Sequence, residues 1–167
     1  MRQGASAACL VLGLALASCG DDSERPPTSP ATDPGPAEQP AVEPPAEPTE
    51  VVREAAFELR ASSSGPYRVG EVGQFAVTLT PRGVWHVNQE FPTTVEVTPP
   101  AAIVVPKPAL EREDAAELTE QRARFDVSFT PAAAGQHRVT AEVSFAVCTE
   151  ENCIPDQRTL AVSLPVE

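Results

Sequence analysis

Two cysteines near the C-terminal end carry the most chemistry in this chain. Cys148 and Cys153 stand in Phe145-Ala-Val-Cys148-Thr-Glu-Glu-Asn-Cys153-Ile-Pro155, where a strand-like run breaks into a polar turn. A pair so spaced is either a redox-active dithiol/disulfide or a structural staple. Closing so small a ring restricts the unfolded chain by only about 2 kcal/mol, little help to a domain with its own core. Alternation along the preceding strand puts Cys148 out of step with Val143, Phe145 and Val147, on the face of Arg138, Thr140, Glu142 and Ser144. The expectation is therefore a sulfur on the solvent side, or toward an edge covered by a loop, rather than in the core, which favours exchange over a staple. Glu150, Glu151 and Asp156 crowd the pair, and Arg158 is the only base nearby. Negative charge disfavours thiolate, which favours disulfide over dithiol and implies a fairly reducing potential.

The other two cysteines belong to the N-terminus. Met1-Arg2-Gln3 precedes an apolar Ala/Leu-rich run from Ala7 to Ala17, which contains Cys9 and is too short to span a bilayer. Residues 1–18 read as an export signal. Leu16-Ala17-Ser18-Cys19 resembles the bacterial lipobox, which implies cleavage before Cys19 and its lipidation; the alternative is an ordinary signal peptide with an incidental cysteine. Two or more acyl chains anchor a protein stably. Gly20 after the cysteine points to the outer membrane, and the compartment it faces is oxidising, so disulfides persist there.

Residues 19–54 hold the lipidated cysteine and a Pro/Glu-rich linker. Between Gly20 and Glu54 there are nine acids against two bases, Arg25 and Arg53, and no apolar period. Such a segment cannot bury enough apolar surface to offset its ordering entropy, so a disordered, extended tether is expected. Residues 55–167 carry nine bases against fifteen acids, a net charge of −6, and are long enough for one core.

The period in that region is two. Phe57 and Leu59, then Phe75, Val77 and Leu79, then Val95 and Val97, Phe125, Val127 and Phe129, Val139 to Val147, and Leu160, Val162 and Leu164 alternate with polar residues. Val84 to Asn88 and Ile103 to Val105 read as further short strands. Pro/Gly turns separate them. Seven to eight short strands predict an all-β, immunoglobulin-like antiparallel sandwich, with a lipocalin-like barrel as the competitor. Ala109 to Gln121 breaks the pattern and reads as a helical turn or a long surface loop.

Cys148-Thr-Glu-Glu-Asn-Cys153-Ile-Pro155, between an alternating strand and a final strand, resembles the N-terminal periplasmic domain of the thiol:disulfide interchange protein DsbD. Trp85-His86-Val87-Asn88, followed by Phe91-Pro92-Thr93-Thr94-Val95, is similar to that family's Gly-Trp-His strand and the Pro-Thr-Val stretch after it. The resemblance covers roughly Tyr67 to Pro165. It implies an immunoglobulin-like domain whose two cysteines, here Cys148 and Cys153, take electrons from a membrane-embedded donor and pass them to periplasmic thiol-disulfide proteins. Two departures stand out. The family's fused transmembrane carrier and thioredoxin-like domain are absent from these residues. The positional counterpart of its aromatic-bearing cap loop, Leu110 to Leu118, has neither an aromatic residue nor a glycine.

Other chemistry is weaker. Cys148, Cys153, His86 and His137 would make up a Cys₂His₂ zinc set in number, but the histidines lack ligand spacing. Met1 is the only methionine, which disfavours Met-rich copper handling. No Cys-x-x-Cys, phosphate loop or Ser-His-Asp arrangement is evident, so an autonomous thioredoxin-type enzyme is not expected and no cofactor or metal is implied. The chain's net charge of −12 disfavours nucleic acid as a partner. The different-class rival is a binding or assembly module of the cell envelope with a structural disulfide.

Overall fold

A computed structural model describes residues 47–167. The expected export signal, Cys9, Cys19 and the expected linker up to residue 46 lie outside the described residues.

Two antiparallel sheets face each other. One runs in the order β1 (Val51–Arg53), β2 (Phe57–Ser63), β3 (Gly73–Pro81), β9 (Ala123–Pro131) and β6 (Ile103–Val104), with β8 (Glu117–Leu118) also pairing with β9. The other runs β11 (Cys153–Val166), β10 (Gly135–Cys148), β5 (Thr94–Thr98) and β7 (Ala109–Glu111), with β4 (His86–Val87) pairing with β10 beyond the end of β5. This is the expected β-sandwich, two separate sheets rather than a closed barrel. The strands beyond the predicted seven or eight are short ones of two or three residues.

The period-two positions form the core. Phe57, Leu59, Phe75, Val77, Phe125, Val127 and Phe129 from one sheet meet Val95, Val139, Val143, Phe145, Val147, Leu160 and Leu164 from the other. Phe57 and Phe145 pack edge to face across the sheets, with ring centroids 4.8 Å apart. Ala109–Gln121 is neither a long helix nor one loop. It holds β7, a single 3₁₀ turn at Arg112–Asp114, and β8.

The boundary at Ala55 is corrected. Val51–Arg53 pairs with Arg60, Leu59 and Glu58 of β2, and Thr49 bridges Leu160 on the outer edge of β11. The Ala161 N–H donates to Thr49 O (3.0 Å), the Ser163 N–H donates to Glu50 Oε1 (3.3 Å), and the Arg138 guanidinium donates to Pro48 O. The two valines are too few to show a period, so composition alone assigned them to the linker. A chain beginning at Ala55 is expected to unfold at a lower urea concentration than one beginning at Glu47, by roughly 2 kcal/mol for the lost hydrogen bonds. Equilibrium urea melts of the two lengths compare them directly.

Candidate functional site

The site is built on the β10–β11 hairpin. Fourteen residue pairs run from Gly135↔Val166 to Cys148↔Cys153, and the turn between them is held by side-chain chemistry. The Thr149 N–H donates to Asn152 O (2.7 Å), while Thr149 Oγ1 accepts from the N–H groups of Glu151 (3.3 Å) and Asn152 (3.1 Å). Threonine turns of this kind give the backbone local partners where the ladder ends. Pairing brings the Cys148 and Cys153 Cα atoms to 4.0 Å, and the two sulfurs form a disulfide.

The two sulfurs differ in access. Cys153 is exposed, whereas Cys148 is only 4% exposed. Of the two placements expected for Cys148, the open solvent side is corrected and the covered edge is what the structure has. Its register parity is as predicted, opposite the buried Val147, but the outer face at this end of β10 is covered: Ala146 is 2% exposed and Cys148 lies beside it. The strand supplying part of that neighbourhood is β4. Gly83, at φ +62°, permits the turn that leads into it, with the Trp85 N–H donating to Arg82 O (3.2 Å). Trp85 itself packs half-buried against the core. β4 then pairs His86 with Cys148 and Val87 with Val147.

Directly opposed residues of antiparallel strands share a face. His86, Cys148 and Cys153 therefore form one row across three strands on the outer side of the sheet. A cavity of about 310 Å³ opens beside them, lined also by Asn88, Glu90, Glu120 and Thr149. The resemblance pointed to the Trp-His pair without giving the histidine a neighbour. Glu90 and Glu120 carried no signal in the sequence, because loops far apart in the chain bring them here.

Arg158, the one base near the cysteines in sequence, is occupied elsewhere. It pairs with Asp156 (3.0 Å) and Glu54 (3.4 Å). His137 stands at the far end of β10, opposite Leu164, with its Nε2 2.8 Å from Ala133 O, so the four residues of the zinc reading do not converge. Among the described residues no cluster of three or more His, Cys, Asp or Glu is placed to hold a metal ion.

The segment Leu110 to Leu118 crosses from one sheet to the other. Leu110 is buried opposite Val95, and Leu118 is half-buried opposite Ala123. Neither lines the cavity beside the disulfide, which instead meets Glu120, just beyond β8. A larger cavity, about 400 Å³, lies along this segment between Glu90, Thr93, Glu111 and Arg112.

The 3₁₀ turn in that segment is fixed by Asp114, which accepts from the Glu111 N–H (2.9 Å) and from Lys107 Nζ. The backbone bond first and the lysine second hold its carboxyl below its ordinary value of 3.8. A lowered carboxylate stabilises the fold above its unfolded-state value, and that contribution disappears as pH falls through the lowered folded value. Asp114→Asn is expected to flatten the acid limb of a stability-versus-pH curve below roughly pH 4, as read from urea midpoints.

No protein-family model matches the chain, and no curated protein matches it. Among solved structures it is similar to the GAE domain of Gga2p from Saccharomyces cerevisiae, at 11% identity and a TM-score of 0.41, over 69% of this chain and 96% of that one. It is also similar to AggA, the major subunit of aggregative adherence fimbriae type I from Escherichia coli, at 11% identity and TM-score 0.35, over 65% of this chain and 94% of that one. A third is a cohesin module from a Clostridium perfringens family 33 glycoside hydrolase, at 13% identity and TM-score 0.32, over 68% and 98% of the two chains. These likenesses assign neither family nor function.

Because the disulfide joins strands that are already paired, its removal is expected to be mild. Reduction of the intact domain should lower unfolding stability by no more than about 2 kcal/mol and leave the β-sheet circular dichroism unchanged. Urea melts with and without a non-thiol reductant measure it.

Proposed function

We propose that this chain is a thiol-disulfide exchange module, with Cys148 and Cys153 as the exchanging pair and a lipid on Cys19 holding it at a bacterial membrane, on the periplasm-facing side of the outer membrane. The observation that carries this reading is the asymmetry of the pair. Cys153 offers an exposed sulfur at the tip of a hairpin, and Cys148 is the buried sulfur behind it. That is the arrangement a directional exchange needs.

The step balances simply. A partner thiolate attacks Cys153 Sγ, forming a mixed disulfide, and Cys148 Sγ leaves with the bonding electron pair and takes up a proton. The partner's second thiolate then attacks its own sulfur in the mixed disulfide and releases Cys153. Two electrons and two protons have moved, the partner dithiol has become a disulfide, and this chain holds the dithiol. The reverse sequence hands the electrons to a more oxidising acceptor. The resemblance to the DsbD N-terminal domain names the partner classes: a membrane electron donor of that type, and periplasmic thiol-disulfide proteins. The acidic Glu150 and Glu151 in the turn between the cysteines, with Arg158 committed to Asp156 and Glu54, favour the disulfide over the dithiol and so a reducing pair.

Burial of Cys148 also suits the rival, a binding or assembly module whose disulfide is structural. A redox titration with thiol trapping separates the two. Exchange predicts reversible reduction above about −300 mV, whereas a structural bond resists reduction to below that potential. In addition, Cys148→Ala, which leaves the exposed Cys153 thiol free, should capture a disulfide-bearing oxidoreductase as a mixed disulfide that dithiothreitol dissolves. Resistance to reduction together with no captured species would leave the structural reading standing.

A further inference from the structure

We infer that His86 is the proton donor and acceptor for the Cys148 sulfur, an assignment that rests on the exchange reading above. β4 places His86 directly opposite Cys148, and the two side chains share the outer face, since Val87 and Val147 beside them both point into the core at about 1% exposure or less. Residues so opposed have Cβ atoms roughly 5 Å apart, within reach of an imidazole. Both residues line the same cavity, with His86 half-buried and so open to solvent on one side.

The chemistry calls for such a group. When Cys153 is attacked, the leaving Cys148 carries its charge into a position that is only 4% exposed, and burial penalises the charged form of a thiol. Bulk water is poorly placed to neutralise it. The other groups lining the cavity are the carboxylates of Glu90 and Glu120, the amides of Asn88 and Gln89, and the Thr149 hydroxyl, and Glu150 and Glu151 stand at the hairpin tip. None of these transfers a proton readily near neutral pH, whereas an imidazole does. In the reducing direction protonated His86 gives its proton to Cys148 Sγ as the S–S bond breaks, then regains one from solvent. In the oxidising direction neutral His86 takes the Cys148 proton, and the resulting thiolate attacks Cys153 in the mixed disulfide. Arg158 cannot substitute, being held by Asp156 and Glu54.

The test compares the full chain with His86→Phe and His86→Gln, because the strand pairing of residue 86 is through its backbone and either side chain can occupy the position. Reduction by dithiothreitol is followed by thiol trapping across roughly pH 5 to 8. Wild type should be reduced at least about tenfold faster than either variant near neutral pH, and its pH profile should contain a limb that both variants lack. Urea melts establish that each variant is folded, and His86→Gln decides the matter if His86→Phe is not. Equal rates and superimposable profiles in wild type and a folded variant would overturn the role of His86 while leaving exchange intact. A wild-type disulfide that dithiothreitol does not reduce would overturn both.

Discussion

The β10–β11 ladder is the constraint on which the rest depends. Its register from Gly135↔Val166 to Cys148↔Cys153 decides which face every side chain of two long strands presents. A slip of one residue would turn Leu160, Val162 and Leu164 outward and empty one side of the core. The turn from Thr149 to Asn152 sets that register at one end, and the disulfide locks it there. Everything at the site follows from the same parity. Val147 and Ile154, opposed to each other, bracket the cysteine pair, and β4 can add itself only where β10 continues past β5.

Period-two alternation made the long strands legible, because in β3, β9 and β10 one face is buried without interruption. It failed where a strand is held by pairing rather than by burial. The first half of β11, Cys153 to Thr159, has no buried residue, so the final strand appears in the sequence only from Leu160 onward. β1 is invisible for a related reason: its valines are half-buried and sit in acidic, proline-rich surroundings. The segment from Ala109 to Gln121 crosses between sheets, touching each with two or three residues, too few for any period to emerge.

The cysteine pair was legible as a pair, and its face was read correctly from the alternation. Its exposure is not legible from alternation, which leaves open solvent and a covered edge equally allowed. Facing away from the core equals facing solvent only if nothing covers that face, and here residues of β4 and of loops distant in the chain line the same cavity as Cys148. Under the exchange proposal this burial matters: an exposed Cys148 would need no help in leaving, a buried one would need its charge neutralised on the spot, and the residue that β4 brings opposite it is a histidine. Sequence spacing could single out His86 beside Trp85, but only strand order gives it a sulfur for a neighbour.

The outer edge of β11, which carries the exposed Cys153, offers few backbone donors for strand addition. The groups that bond Thr49 and Tyr67 to residues 161 and 165 lie on the outward side of β11, so by alternation residues 153, 155 and 157 also turn their backbone outward. At 155 the residue is proline, which has no N–H to donate, and at 157 the N–H is taken by Asp156 Oδ1 at 2.7 Å. Beyond that, Thr49 and Tyr67 bridge the edge themselves. A neighbouring chain therefore finds few N–H donors along this edge. Under the exchange proposal, an edge poor in free donors but open at one sulfur suits brief encounters, in which exchange ends with the partner released.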